Sequence, residues 1–175
     1  VKPTKTPLDN YEVRHGMGYT KFNSKKDGLV AKQLSFVPKN FNGEIHKITL
    51  ENTTNETKHI ELISYVEWAL WNALDDQTNF QRNLSIGEVE VDGSTIYHKT
   101  EYRERRNHYA FFHVNHVLNG FDTDREQFLG LYNDVSSPEV VREGKPKNSM
   151  ADGWSPIGSH FISVELKANE HKDFI

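Results

Sequence analysis

The sequence predicts an all-β fold, an antiparallel β-sandwich, on three observations. Short runs rich in β-branched and aromatic residues recur along the 175-residue chain. Turn-forming residues separate these runs at short spacing, the pattern of a sandwich rather than of a helical or α/β protein. An Asp-Gly pair at Asp92-Gly93 stands between two alternating runs, which is a strong signal for a two-residue hairpin turn.

Taken in order, Leu34-Ser35-Phe36 alternates and stops at Pro38. Ile48-Thr49-Leu50 alternates and stops at the turn-forming run Asn52-Thr53-Thr54-Asn55. Ile60 to Leu70 is longer. Its β-branched and aromatic residues, among them Tyr65, Val66 and Trp68, favour strand over helix. Val89-Glu90-Val91 leads into Asp92-Gly93 and out through Ser94 to Thr100. Tyr109 to Val117 and Phe161 to Leu166 are two further strands. Asp124 to Leu129 reads as one helical turn, with Asp122 or Thr123 as its cap. There is no internal repeat and no low-complexity segment.

The length suits one domain with a real core. The balance of 21 basic and 25 acidic residues is mildly acidic, and no basic stripe points to nucleic acid. No apolar run approaches the length of a membrane span. The absence of cysteine excludes both a disulfide framework and a thiolate nucleophile. Asn-x-Ser/Thr triplets occur at Asn52, Asn55 and Asn83, where Asn-rich turns produce them by chance. The protein is expected in the cytoplasm. The chain opens within Val1-Lys2-Pro3 and stops at Lys172-Asp173-Phe174-Ile175, a run that reads as the start of a strand. It is therefore expected to be an incomplete piece, residues 1–175, of a larger protein.

Several constellations invite chemistry and have plainer explanations. Asp75-Asp76 is a carboxylate pair, but adjacent residues in an extended loop point apart. An inverting glycosidase pair needs a gap of roughly 6.5–9.5 Å across one bond. Turn or cap duty fits these aspartates better. His113-Val114-Asn115-His116 has ligand-like spacing, yet residues three apart in a strand face opposite sides. No metal site is expected. Ser155, Ser159 and His160 lack the Gly-x-Ser-x-Gly elbow of a hydrolase and read as a structured loop, its path set by Pro156 and Gly158, with Trp154 packed down. Tyr102 to Arg106 is a charge cluster in which alternate residues share a face. Mutual pairing on a solvated sheet is its ordinary explanation, and an interface network the sharper one. Phe111 and Phe112 cannot both point inward in a strand.

The run Asn72 to Asn83 is longer than a hairpin needs, and it sets amides, a guanidinium and an aromatic ring side by side. Arg offers a planar fork of donors, and Gln both donates and accepts, a combination suited to sugar hydroxyls or phosphate. A surface loop whose Asp and Asn residues cap local backbone is the competing explanation.

Trp71 to Val91, Tyr11 to Thr20, Ile96 to His108, Gly120 to Tyr132 and Gly153 to His160 together resemble the N-terminal domain of the cellobiose phosphorylases, the inverting β-glucoside phosphorylases of glycoside hydrolase family 94. The resemblance runs through nearly the whole chain in order. It implies a large antiparallel β-sandwich, followed in the family by a helical linker and a helical catalytic barrel that holds the general acid. It also implies phosphorolysis of cellobiose to α-glucose 1-phosphate and glucose, with no metal or organic cofactor. Related substrates are cellodextrins or chitobiose. A free-standing sugar-binding sandwich is the alternative from another class. In the resembling enzymes a sandwich loop completes the active site of the neighbouring subunit of a dimer. Gln81 and Arg82 fall on the positions that reach the sugar of the donor subsite. Catalytic residues are expected outside this chain.

Overall fold

Alternating side chains and tight turns build twelve strands and two short helices among the described residues. The computed structural model describes residues 4–68, 74, 86–102, 105–153 and 155–175, and only the backbone of 86, 87, 100–102 and 105–108. All strand pairings given for these residues are antiparallel. The chain divides into two compact units, Val1–Lys5 with Glu61–Ile162, and Thr6–Ile60 with Ser163–Ile175.

The second unit holds a five-stranded sheet. β1 (Asn10–Gly16), β2 (Tyr19–Lys26), β3 (Leu29–Phe36) and β4 (Ile45–Asn52) form a meander, and β12 (His171–Phe174) pairs on the far side of β4. β3 and β4 contain the two predicted runs and end where the sequence places their breaks, before Pro38 and at Asn52. β1 and β2 carry so many polar residues that alternation does not reveal them. The turn between β2 and β3 is a second Asp-Gly pair, Asp27-Gly28, and Asp9 braces it by accepting the Asp27 amide at 3.0 Å. Asn52 is fully buried. Its amide donates to the carbonyls of Glu56, Leu166 and Lys167 at 2.7, 3.1 and 3.0 Å, and its oxygen accepts from Thr54 N and Oγ1 at 3.1 and 2.7 Å. The triplet at Asn52 is thus a structural turn lock rather than a surface acceptor.

The first unit contains a three-stranded meander, β7 (Ile86–Asp92), β8 (Thr95–Tyr102) and β9 (Arg105–His113). The predicted hairpin is present, one residue displaced. Asp92 pairs with Thr95, so Gly93-Ser94 are the turning residues. Gly93 takes φ +56, and among the described residues Ser94 is not in the left-handed region, which is the pattern of a type II′ turn rather than type I′. β9 ends at His113, earlier than predicted, and the chain then bends. Phe111 is 61 % exposed while Phe112 turns inward, as the strand alternation requires.

The remaining sheet runs β10 (Gly120–Asp124), β11 (Pro156–Leu166), β5 (Lys58–Ile63), with β6 (Val66–Glu67) also on β11. The predicted strand over Ile60 to Leu70 is thus broken at Ser64-Tyr65, and Ala69 and Leu70 lie outside the described residues. Pro156 to His160, expected as loop, is the first half of β11, because Gly158 and Ile157 find partners in Val66 and Glu67. Helix α1 (Arg125–Leu129) is the predicted helical turn. Its cap is Asp124, not Asp122 or Thr123; Asp124 Oδ1 accepts the amides of Glu126 and Gln127 at 2.8 and 3.1 Å. The two expected caps are buried instead against residues 147–151. Asp122 accepts Lys147 N, Ser149 N and Ser149 Oγ at 3.1, 3.0 and 2.6 Å, and Thr123 Oγ1 accepts Ala151 N at 2.8 Å. Helix α2 (Glu139–Glu143) follows. Phe128, Leu129, Val140 and Ile157 form a buried core with Ile63 and Tyr65 against it.

Candidate functional site

Gln81 and Arg82 lie outside the described residues, as do Asp75, Asp76, Arg103, Glu104 and Trp154. The described residues place the two roots of the polar segment, β6 before it and β7 after it. β6 is fastened by three different means. Its backbone pairs with β11, Val66 opposite Gly158 and Glu67 opposite Ile157. Glu67 Oε1 accepts the Arg125 Nε–H at 2.9 Å and the Tyr65 hydroxyl. Next in the chain, the Trp68 ring stacks on the His98 imidazole of β8, with centroids 5.0 Å apart and planes 15° from parallel.

A second stack lies beside the first, Phe112 of β9 on His160 of β11 at 4.4 Å and 16°. Between them Gly158 leaves no room for a side chain, with Trp68, Val66 and Phe112 closing in on three sides. Both imidazoles are buried, His98 at 6 % exposure and His160 at 2 %. Among the described residues, His98 Nδ1 and His160 Nε2 have no hydrogen-bond partner. Burial pushes both rings from 6.5 down to about 4, with the hydrogen bond that the His160 ring donates to the Phe112 backbone opposing the shift there. Both rings are held in the neutral form at pH 7 and pack against Trp68 and Phe112. Burial, with the hydrogen bond to Glu67 second, pushes the Tyr65 hydroxyl well above its usual range, so it stays a donor.

Ser159 and His160, expected as part of a structured loop without a nucleophile elbow, lie in β11, where Ser159 is 1 % exposed. A serine–histidine–carboxylate order does occur elsewhere. Ser35 Oγ lies 2.8 Å from His46 Nδ1, and His46 Nε2 lies 3.6 Å from Glu44. Ser35 and His46 are register partners across β3 and β4. Ser35 is buried at 7 % exposure and the Gln33 amide donates to its Oγ at 2.9 Å, so it cannot reach a substrate carbon. His113 and His116 are engaged separately, with Thr95 Oγ1 at 2.9 Å and the Val117 carbonyl at 3.0 Å. Sequence reasoning missed Glu67, Arg125 and His98. Arg125 stands 58 positions from Glu67, and no local pattern links them.

The chain is thus an antiparallel β-sandwich in which His98 and His160 are enclosed beside the strand that precedes the polar segment. The chain belongs to the family described as glycosyl hydrolase 94, supersandwich domain, which matches residues 1–175. It is similar to the N,N'-diacetylchitobiose phosphorylases of Vibrio furnissii (28 % identical over 99 % of this chain) and Vibrio proteolyticus (29 % over 99 %). It is also similar to the solabiose phosphorylase of Paenibacillus borealis, 28 % identical over 96 % of this chain. The chain spans 22 % of the length of each of these relatives. No helix among the described residues is long and apolar enough to cross a membrane.

Proposed function

We propose that residues 1–175 are a single sandwich domain of a larger inverting β-glycoside phosphorylase, and that cellobiose is its substrate. The observation that carries the domain assignment is the match of the family over the whole chain. A phosphate oxygen attacks the anomeric carbon of the non-reducing sugar. The bond to the leaving oxygen breaks, and a carboxylic acid outside this chain protonates that oxygen. The products from cellobiose are α-glucose 1-phosphate and glucose. Phosphate is already an anion, so no general base is required, unlike the two-carboxylate inverting scheme. No metal or organic cofactor takes part. The enzyme is cytoplasmic and homodimeric, and Gln81 and Arg82 bind the donor sugar in the neighbouring subunit's site. N,N'-diacetylchitobiose is the second substrate reading, favoured by the names of the two Vibrio relatives.

The test is incubation of the intact enzyme with phosphate and either disaccharide, with the sugar 1-phosphate and its anomer read by NMR. Formation of the α-phosphate from cellobiose supports the reading. Formation only from the N-acetylated sugar moves the substrate to the second reading, and no sugar phosphate from any β-linked disaccharide overturns the phosphorylase assignment. Arg82→Ala should keep its melting temperature and lose about 10- to 150-fold in kcat/KM, the worth of one charge-assisted hydrogen bond. Mixed dimers of this variant with a subunit lacking the general acid should recover part of the activity.

A further inference from the structure

We propose that the outward face of the β7–β9 sheet is a saccharide-stacking platform, built on Tyr97, Tyr109 and Phe111, for an extended, neutral, β-linked glucan chain. The inference stands on this face alone and does not depend on the phosphorylase reading.

The two-residue period of the strands sorts the side chains of this sheet. Ile96 and His98 are buried on one face, and Phe112 turns the same way to stack on His160. The opposite face holds three large aromatic side chains in the open. Tyr97 is 42 % exposed, Tyr109 67 % and Phe111 61 %. Strand register brings them together. Glu90, Tyr97 and Phe111 form one row across the three strands, and Glu88, Lys99 and Tyr109 form the next. Adjacent strands lie about 4.8 Å apart, and residues two apart in a strand about 6.8 Å. The three aromatic positions therefore mark a corner roughly 5 Å by 7 Å, the scale of a disaccharide face. Single exposed aromatics are ordinary, but three neighbours on one flat surface form a patch.

The chemistry of the patch selects its occupant. Among the described residues, no Leu, Ile, Val or Met points outward from this sheet. The core of a protein interface is depleted in charge, whereas here carboxylates alternate with rings. Polyanions such as nucleic acid are disfavoured, because Glu88, Glu90 and Asp92 oppose only Lys99. A cation would need rings gathered around it, but side chains on one face of a sheet stand side by side. Glu88 is moreover already engaged by Lys99 at 3.5 Å. A β-linked glucan meets both halves of the pattern. Its pyranose faces are made of C–H bonds with slight positive charge, which suit the negative face of an aromatic ring. Its equatorial hydroxyls donate sideways, where the Glu90 carboxylate accepts in the same row as Tyr97 and Phe111. Rings two positions apart along β9 serve a chain better than a single sugar.

Native electrophoresis of the full-length protein through gels with and without soluble mixed-linkage β-glucan tests this. No phosphate is present, so the assay reads binding whatever the reaction proves to be. The β-glucan should slow the protein and dextran should not. Phe111→Ala and Tyr109→Ala should each weaken binding about 3- to 10-fold with the melting temperature unchanged, since both rings are already exposed. Phe111→Tyr keeps a ring and should bind like wild type. Val117→Ala, which trims an exposed apolar group beyond β9, should do the same. Binding should be equal at low and high salt, because a neutral sugar makes no ion pair. No retardation by β-glucan would overturn the proposal, and so would retardation unchanged in both alanine variants, since the glucan would then bind elsewhere. A steep loss with salt would mean a cationic partner and would overturn it too. Sedimentation supplies the last check. A fall in mass in Phe111→Ala would show that a second copy of the chain covers the face, and the proposal would fall.

Discussion

Gly158→Ala adds one methyl group at a crowded point of β11. A Cβ at this position would stand 2.9 Å from Trp68 Cη2, 3.0 Å from Val66 Cγ1 and 3.1 Å from Phe112 Cδ1. Carbon atoms prefer about 3.5–4.0 Å, so each neighbour would have to withdraw by roughly half an ångström. None is free to do so alone. Trp68 is stacked on His98, Phe112 on His160, and Val66 is paired through its backbone with Gly158 itself. Overpacking of this kind costs about 1–3 kcal/mol, and the stiffer unfolded chain returns about 0.4–1 kcal/mol. A net loss of about 1–2 kcal/mol corresponds to a fall of about 2–8 °C in melting temperature for a chain of this size. Thermal unfolding followed by tryptophan fluorescence reads it. Gly93→Ala separates crowding from backbone strain, because a Cβ there meets nothing within 4 Å while φ is +56. Phe112→Leu should partly rescue Gly158→Ala and leave Gly93→Ala unrelieved. Unchanged or raised stability in Gly158→Ala, or no coupling with Phe112→Leu, would refute the packing argument.

Acid should destabilise the chain through its enclosed histidines. Folded His98 and His160 take up protons only near pH 4, whereas the unfolded chain does so near 6.5. The unfolded state binds more protons across that window, so stability is held above pH ~6.5 and lost as pH falls toward ~4, by up to about 3 kcal/mol per ring. Urea midpoints for wild type and His98→Phe at pH 7 and pH 4.5 check this, and equal losses in both proteins would exclude His98. Asn52→Ala removes a buried amide that holds five hydrogen bonds and should cost about 2–5 kcal/mol by chemical denaturation, with an effect under about 0.5 kcal/mol contradicting its role as a turn lock. Asp124→Ala strips the cap from α1 and should cost about 1 kcal/mol, whereas Asp122→Ala should cost more, because its carboxylate is buried and holds three donors. The 175-residue chain alone should form no sugar 1-phosphate from cellobiose and phosphate, and turnover above a heat-killed control would place a general acid within it.

By itself the sequence determined the strand-rich class, the ends of β3 and β4, the β7–β8 hairpin and the opposite facing of Phe111 and Phe112. These follow from turn chemistry and a two-residue period, which act over a few positions and are written in neighbouring side chains. The family was also legible, because runs such as Trp71 to Val91 carry the resemblance in the order of their residues alone. Other features belonged to the tertiary structure alone. β1 and β2 are strands because β3 lies beside them, although their own residues are largely polar. Pro156 to His160 is strand because β6 and β10 flank it, where Pro, Gly and Ser alone suggest a loop. Asp124 rather than Asp122 caps α1 because residues 147–151 fold back and claim the buried carboxylate. The Glu67–Arg125 pair and the two aromatic–histidine stacks join residues far apart in the chain. Such contacts depend on how the strands are brought together, so no local periodicity in the sequence encodes them.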